Sequence, residues 1–121
     1  MPRILIADDH TPMRRILHNL FAHYDRWEVC GEAADGKEAV DAAVMLRPDL
    51  VLLDYRMPNK NGIQAASEIK QKSPEMPIVI FTLAKTRELE SKAREVGVNA
   101  VIDKEEGLTE LLHAVDEEVR H

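Results

Sequence analysis

The sequence predicts an α/β fold in which five strands alternate with five helices, (βα)5, around one parallel sheet. Three observations carry this. The runs Ile4-Leu5-Ile6-Ala7, Leu50-Val51-Leu52-Leu53, Ile78-Val79-Ile80-Phe81 and Ala100-Val101-Ile102 are apolar at consecutive positions, as strands buried on both faces are. The stretches between them carry apolar residues at helical spacing instead. Strands and helices alternate strictly, which calls for right-handed crossovers and parallel pairing. A length of 121 residues suits a single domain spanning 1–121 with a core of its own.

The first strand, Ile4 to Ala7, ends in two acids, Asp8 and Asp9. Thr11-Pro12 then reads as an N-cap followed by proline at the first helical position. Met13, Ile16, Leu17, Leu20 and Phe21 make one apolar stripe, leaving Arg14, Arg15, His18 and Asn19 on the wet side. From Trp27 to Ala33 apolar residues only alternate with acids, which suits a half-exposed edge strand. Asp35-Gly36 marks a turn, and Ala39, Val40, Ala43 and Val44 line a helix that stops before Pro48. The strand Leu50–Leu53 delivers Asp54 and runs straight into the turn residues Met57-Pro58-Asn59-Lys60-Asn61-Gly62. Ile63, Ala66 and Ile69 carry the third helix to Ser73-Pro74, and the fourth strand ends in Thr82. A helix over about 86–96 turns only Leu89, Ala93 and Val96 inward, with Gly97 as its cap. So thin a stripe suits a weakly anchored, movable helix. The last strand is followed by Asp103 and Lys104, and Leu108, Leu111, Leu112, Val115 and Val119 form the final stripe. At this size the natural arrangement is a flavodoxin-like three-layer sandwich with strand order 2-1-3-4-5, its second and fifth strands at the edges.

A net charge of −6 argues against direct nucleic-acid binding through a basic surface. No apolar run approaches the roughly 18–20 residues that cross a bilayer. The N-terminus lacks a signal peptide's apolar segment, so the expected compartment is cytoplasmic, with no membrane contact. Cys30 is the one cysteine, which excludes a disulfide framework and metal-type cysteine spacing; a small buried hydrophobe is the expectation. His10 reads as an exposed loop residue, and His18, His23, His113 and His121 show no metal-ligand spacing.

In a parallel sheet all strand carboxyl ends share one edge, where ligand sites gather. Here that edge collects Asp8, Asp9, Asp54, Thr82 and Lys104. Crowded carboxylates repel unless a cation sits among them, and a hard divalent ion such as Mg²⁺ suits an all-oxygen set. A lysine and a threonine hydroxyl beside them suit a phosphoryl group. The combination describes phosphoryl transfer to a carboxylate.

The set Asp8-Asp9, Asp54-x-x-Met57-Pro58-x-x-x-Gly62, Thr82 and Lys104 resembles the receiver domain of two-component response regulators, over essentially the whole chain from Ile4 to Val119. The resemblance implies a phosphorelay switch and not an enzyme acting on external substrates. Asp54 would accept phosphate from a sensor histidine kinase. Asp9 would ligate Mg²⁺ directly and Asp8 through water, with Asp54 and the backbone carbonyl of Arg56 completing the protein ligands. Lys104 would pair with the phosphoryl group. Thr82 would move toward it and carry the signal to the face of the fourth helix, fifth strand and fifth helix, with position 101 as the second switch residue.

Three residues depart from the family pattern. Val101 stands where an aromatic ring usually follows the threonine, Leu83 replaces a small residue, and Glu105 replaces the proline that often follows the lysine in a cis peptide. A non-proline cis bond costs about 3–4 kcal/mol, so a trans bond or a different local loop is expected after Lys104. These departures keep a second reading open, a degenerate receiver that binds partners independently of phosphorylation. A third, an aspartyl-phosphate phosphatase, usually needs an acid two residues beyond the nucleophile, where this chain has Arg56. The wording Pro48-Asp49-Leu50-Val51-Leu52-Leu53-Asp54 and Leu108-x-x-Leu111-Leu112 looks like receivers that precede a C-terminal helix-turn-helix. Two alternatives then stay open, a stand-alone receiver or the front half of a DNA-binding regulator, the second of which makes transcription regulation the output. The expected partners are the kinase, a second copy of the chain and, in the second alternative, a C-terminal DNA-binding domain beyond this chain.

Overall fold

The structure, a computed structural model, describes residues 1–119. Arg120 and His121 lie outside the described residues. Five strands, β1 (Arg3–Ala7), β2 (Glu28–Ala33), β3 (Leu50–Leu53), β4 (Ile78–Thr82) and β5 (Ala100–Asp103), pair in parallel in the order β2-β1-β3-β4-β5. Five α-helices connect and cover them: α1 (Thr11–His23), α2 (Gly36–Leu46), α3 (Gly62–Lys72), α4 (Arg87–Glu95) and α5 (Leu108–Val119). The predicted class and strand order are those observed.

The period of two along each strand divides the core. Ile4, Ile6, Leu50, Leu52, Val79 and Phe81 meet Leu17 and Phe21 of α1 and Leu111 and Val115 of α5. Their alternates Leu5, Ala7, Val51, Leu53, Ile78 and Ile80 meet α2, α3 and α4 largely through alanines. Trp27, expected to open the second strand, instead lies before it in the core and packs edge-on to Phe21, ring centroids 5.5 Å apart. Cys30 is half-buried on the edge strand, and its burial raises the thiol above the usual range.

The helix boundaries depart in small, explicable ways. Helix α1 begins at Thr11, so His10 and not Thr11 is its N-cap, and His10 makes no side-chain cap bond. Pro12 in the first turn loses nothing by lacking an N–H there. Ile16 and Val44, counted as stripe residues, stand exposed at the margins of their apolar arcs, and Leu108 stands exposed as the first residue of α5. Helix α3 begins with a full capping box: the Asn61 side chain accepts from Gln64 N–H at 2.9 Å, and the Gln64 side chain accepts from Asn61 N–H at 2.8 Å. Helix α4 buries only Leu89 and Ala93, in keeping with its thin stripe. Between β5 and α5 the chain makes one 3-10 turn, Lys104–Glu106, that periodicity did not indicate. The described residues contain no cis peptide bond, so Lys104–Glu105 is trans, as expected.

Candidate functional site: an acidic pocket at the carboxyl edge of the sheet

The ladder of the sheet continues past the formal strand ends and fixes the first two acids. Asp8 N–H donates to Ala33 C=O at 3.0 Å and Asp54 N–H donates to Ala7 C=O at 2.9 Å, which sets the two residues side by side. Both are buried, with 1 % and 9 % of their surface exposed. Asp9, the next residue, is exposed. One carboxylate oxygen from each of Asp8, Asp9 and Asp54 lies within 4.8 Å of the others.

Lys104 reaches this group from across the sheet. Its Nζ donates to Asp8 Oδ2 and to Asp54 Oδ2, 2.9 Å each. The 3-10 turn aims it: Asp103 caps that turn by accepting Glu105 N–H at 2.8 Å, which turns the chain back over the sheet edge. The other carboxylate oxygens bind locally, Asp8 Oδ1 to His10 N–H at 2.9 Å and Asp54 Oδ1 to Tyr55 N–H at 2.6 Å. Thr82 is 1 % exposed, its Oγ1 accepting Ala84 N–H at 3.1 Å. A cavity of about 340 Å³ opens over these groups, lined by Asp9, Asp54, Arg56, Thr82, Leu83, Ala84 and Lys104. The structure therefore brings Asp8, Asp9, Asp54, Thr82 and Lys104 together, with Arg56 at the mouth. Val101 stays apart, half-buried against the layer of α2, α3 and α4. The side chain of His10 points to solvent.

Burial raises the Asp8 carboxyl above its usual 3.8, the Asp54 charge adds to the rise, and the hydrogen bonds from Lys104 and His10 offset only part of it. Burial pulls Lys104 down, but its hydrogen bonds to Asp54 and Asp8 outweigh that and hold the ammonium above its usual 10.5. A folded-state pKa above the unfolded one means that folding favours the protonated form. For Asp8 that contribution is complete below 3.8 and is lost as pH rises through the raised value. Asp8→Asn, which cannot ionise, is thus expected to gain stability on the wild type as pH rises through the carboxylate range without metal. Denaturant titrations at several pH values check this; a difference independent of pH would refute it. The Lys104 contribution is lost only in alkali, above 10.5.

Two features of the site were not legible in the sequence. Arg14, assigned to the wet side of its helix, is only 16 % exposed in its side chain, and its guanidinium donates to the Asp8 carbonyl at 2.6 Å. The available signal was a cation near a helix N-terminus, where the dipole disfavours it unless a specific partner compensates. The second is the close packing behind the loop that follows Asp54. A Cβ on Gly36 would lie 2.0 Å from Lys60 O, and one on Gly62 2.4 Å from Asp54 O.

Beside this geometry stand the comparisons with known proteins. A sequence profile of the response regulator receiver domain matches residues 4–116. The chain belongs to that family. The receiver domain is 40% identical over 114 residues to the transcriptional regulatory protein PdtaR of Mycobacterium tuberculosis, a match covering 94% of this chain and 55% of PdtaR. It is 35% identical to protein CcdB of Bacillus subtilis over 121 residues, all of both chains. The crystal structure of a LuxR-family two-component response regulator from Aurantimonas sp. superposes with a TM-score of 0.95 at 30% identity, covering 99% of this chain and 86% of that one. The receiver domain thus spans about half the length of PdtaR and the whole length of CcdB. Among the described residues no helix is long and apolar enough to cross a membrane.

Proposed function

We propose that this receiver domain, residues 1–121, accepts a phosphoryl group on Asp54 from the phosphohistidine of a sensor histidine kinase. The observation that carries the reading is the Lys104 ammonium held between the buried carboxylates of Asp8 and Asp54 at the floor of an open pocket. In the transfer the N–P bond of the donor breaks, an Asp54 carboxylate oxygen forms the new O–P bond, and the imidazole leaves with the bonding pair. Asp8, Asp9 and Asp54 form an all-oxygen donor set that fits a hard divalent cation, with the Arg56 carbonyl as a further ligand. Mg²⁺ bound there would neutralise charge developing on the phosphoryl oxygens. Lys104 already faces the acceptor oxygen and exchanges a carboxylate partner for a phosphoryl oxygen. Thr82 lines the same cavity, and its hydroxyl can donate its proton to the new group.

The test is exposure of the chain to Mg²⁺ and a small acyl-phosphate or phosphoramidate donor, read by intact mass. One phosphoryl adduct is expected on the wild type and none on Asp54→Asn. An undiminished adduct on the variant, or none on the wild type, refutes the reading. The protein turns over no external substrate in this scheme. It works in the cytoplasm as a switch whose output is transcription regulation, through a C-terminal DNA-binding domain or a separate partner. The kinase and a second copy of the chain are its other partners, and the acidic domain does not itself touch nucleic acid.

A second reading, binding that ignores phosphorylation, rests on the departures at Val101, Leu83 and Glu105, of which Val101 bears on it most directly. Valine has no ring to swing between a buried and an exposed position, and a groove of about 350 Å³ lies beside it between α4 and β5. A partner affinity or oligomeric state unchanged by beryllofluoride would favour that reading over a Thr82–Val101 switch.

A further inference from the structure

We infer that Arg14 is a positioning residue that sets the divalent-cation affinity of the pocket by fixing the peptide that joins Asp8 to Asp9. The inference rests on the metal reading proposed above. Asp8 is held on every polar atom except its carbonyl by the sheet, by Lys104 and by His10 N–H. The carbonyl belongs to the Asp8–Asp9 peptide, so its orientation decides where the backbone sends Asp9. Arg14 Nη1 donates to that oxygen at 2.6 Å, and its Nη2 donates to Thr11 Oγ1 at 3.3 Å. The guanidinium is anchored in turn, with Nε 3.4 Å from Glu32 Oε1 on β2, while Glu32 Oε2 meets His18 Nδ1 at 3.0 Å. One planar fork therefore ties the acidic loop to α1 and to the edge strand.

The loop needs such a tie. His10, the N-cap of α1, contributes no side-chain cap bond, and among the described residues the Asp9 carboxylate takes no hydrogen bond or ion pair. Asp8 is fixed by the core of the site; Asp9 is placed through its backbone, held on one side by Arg14 at the Asp8 carbonyl and on the other by His10 N–H at Asp8 Oδ1. A cation close to a cation site also has an electrostatic effect, and that effect has the opposite sign. If Arg14 acted by charge alone, its removal would strengthen Mg²⁺ binding. If it acts by position, removal weakens binding although a repelling charge has gone.

Isothermal calorimetry with Mg²⁺ on the full chain separates the two. Arg14→Met and Arg14→Lys are both expected to bind Mg²⁺ about ten-fold or more weakly, the loss typical of groups that orient metal ligands. Lysine fails here although it keeps the charge, because it lacks the fork. A merely structural role would lower the fraction of competent protein, and so the stoichiometry, without changing the dissociation constant of the folded part. Phosphorylation at saturating Mg²⁺ is expected to recover to nearly the wild-type rate in Arg14→Lys. Wild-type affinity in Arg14→Lys, tighter binding in Arg14→Met, or no Mg²⁺ binding by the wild type would each overturn the inference. Mg²⁺ binding by a wild type that accepts no phosphoryl group would defeat the proposed function, while calorimetry would still decide the role of Arg14.

Discussion

Lys104→Met is expected to cost the metal-free protein about 3 kcal/mol of stability at neutral pH, the scale for removing one partner of a buried ion pair. The side chains left behind are the 2 % exposed Asp8 and the 11 % exposed Asp54, each losing its 2.9 Å contact with the ammonium. Two adjacent carboxylates then share a poorly hydrated pocket with Asp9 at its rim. The loss shrinks toward acid pH, because protonating Asp8, whose pKa already stands raised, removes one of the repelling charges. Millimolar Mg²⁺ is expected to restore most of the stability, by supplying the positive charge that methionine lacks. Urea unfolding with and without Mg²⁺, at neutral and acid pH, measures all three effects. A variant as stable as wild type in chelator would show that the bridge carries no net stabilisation. On the proposed function the variant also loses phosphoryl acceptance even at saturating metal, since the ammonium beside Asp54 Oδ2 has gone.

Gly62→Ala is the second large effect. A Cβ there would stand 2.4 Å from Asp54 O, 2.9 Å from Tyr55 Cα and 3.1 Å from Asp54 C, and all three are backbone atoms with no rotamer to escape into. The close approach is enforced from both sides, because Gly62 N–H donates to Tyr55 C=O at 2.7 Å and Asn61 caps α3. Relief must come from moving the loop that carries Asp54. Overpacking of this kind costs about 1–3 kcal/mol. A displacement of about 1 Å at a reacting group costs about a hundred-fold in rate, which is the expected drop in phosphorylation at saturating Mg²⁺. Gly97→Ala is the control: with φ +93° it is strained by about 1–3 kcal/mol, yet its neighbours are Lys70 methylenes and its phosphorylation rate should be that of the wild type. Equal rates in Gly62→Ala and wild type would show that the loop adjusts without moving Asp54.

The two effects show different degrees of legibility. Asp8, Asp54 and Lys104 could be gathered without coordinates because each directly follows a strand with a strong apolar signature, and parallel pairing brings all such positions to one edge. Gly62 was visible as turn chemistry but not as a contact, since nothing local says that Asp54 O would occupy the place of its Cβ. Val101 was named for its place in the pattern, and the structure puts it outside the pocket, against the α2–α4 layer.

By itself the sequence determined the five βα units and the acids, hydroxyl and lysine at their strand ends, which follow from periodicity and alternation, local in the chain. The strand order and the edge places of β2 and β5 were expected from the usual arrangement of five such units, and the pairing observed agrees. Tertiary structure alone decided that Lys104 bridges Asp8 and Asp54, residues 96 and 50 positions away, and that Asp9 stays at the surface. It also turned Arg14 inward to the Asp8 carbonyl. The physical reason is common to these cases. A hydrogen-bond partner or a van der Waals neighbour brought close by a crossover is a property of packed geometry, and residue spacing carries no record of it.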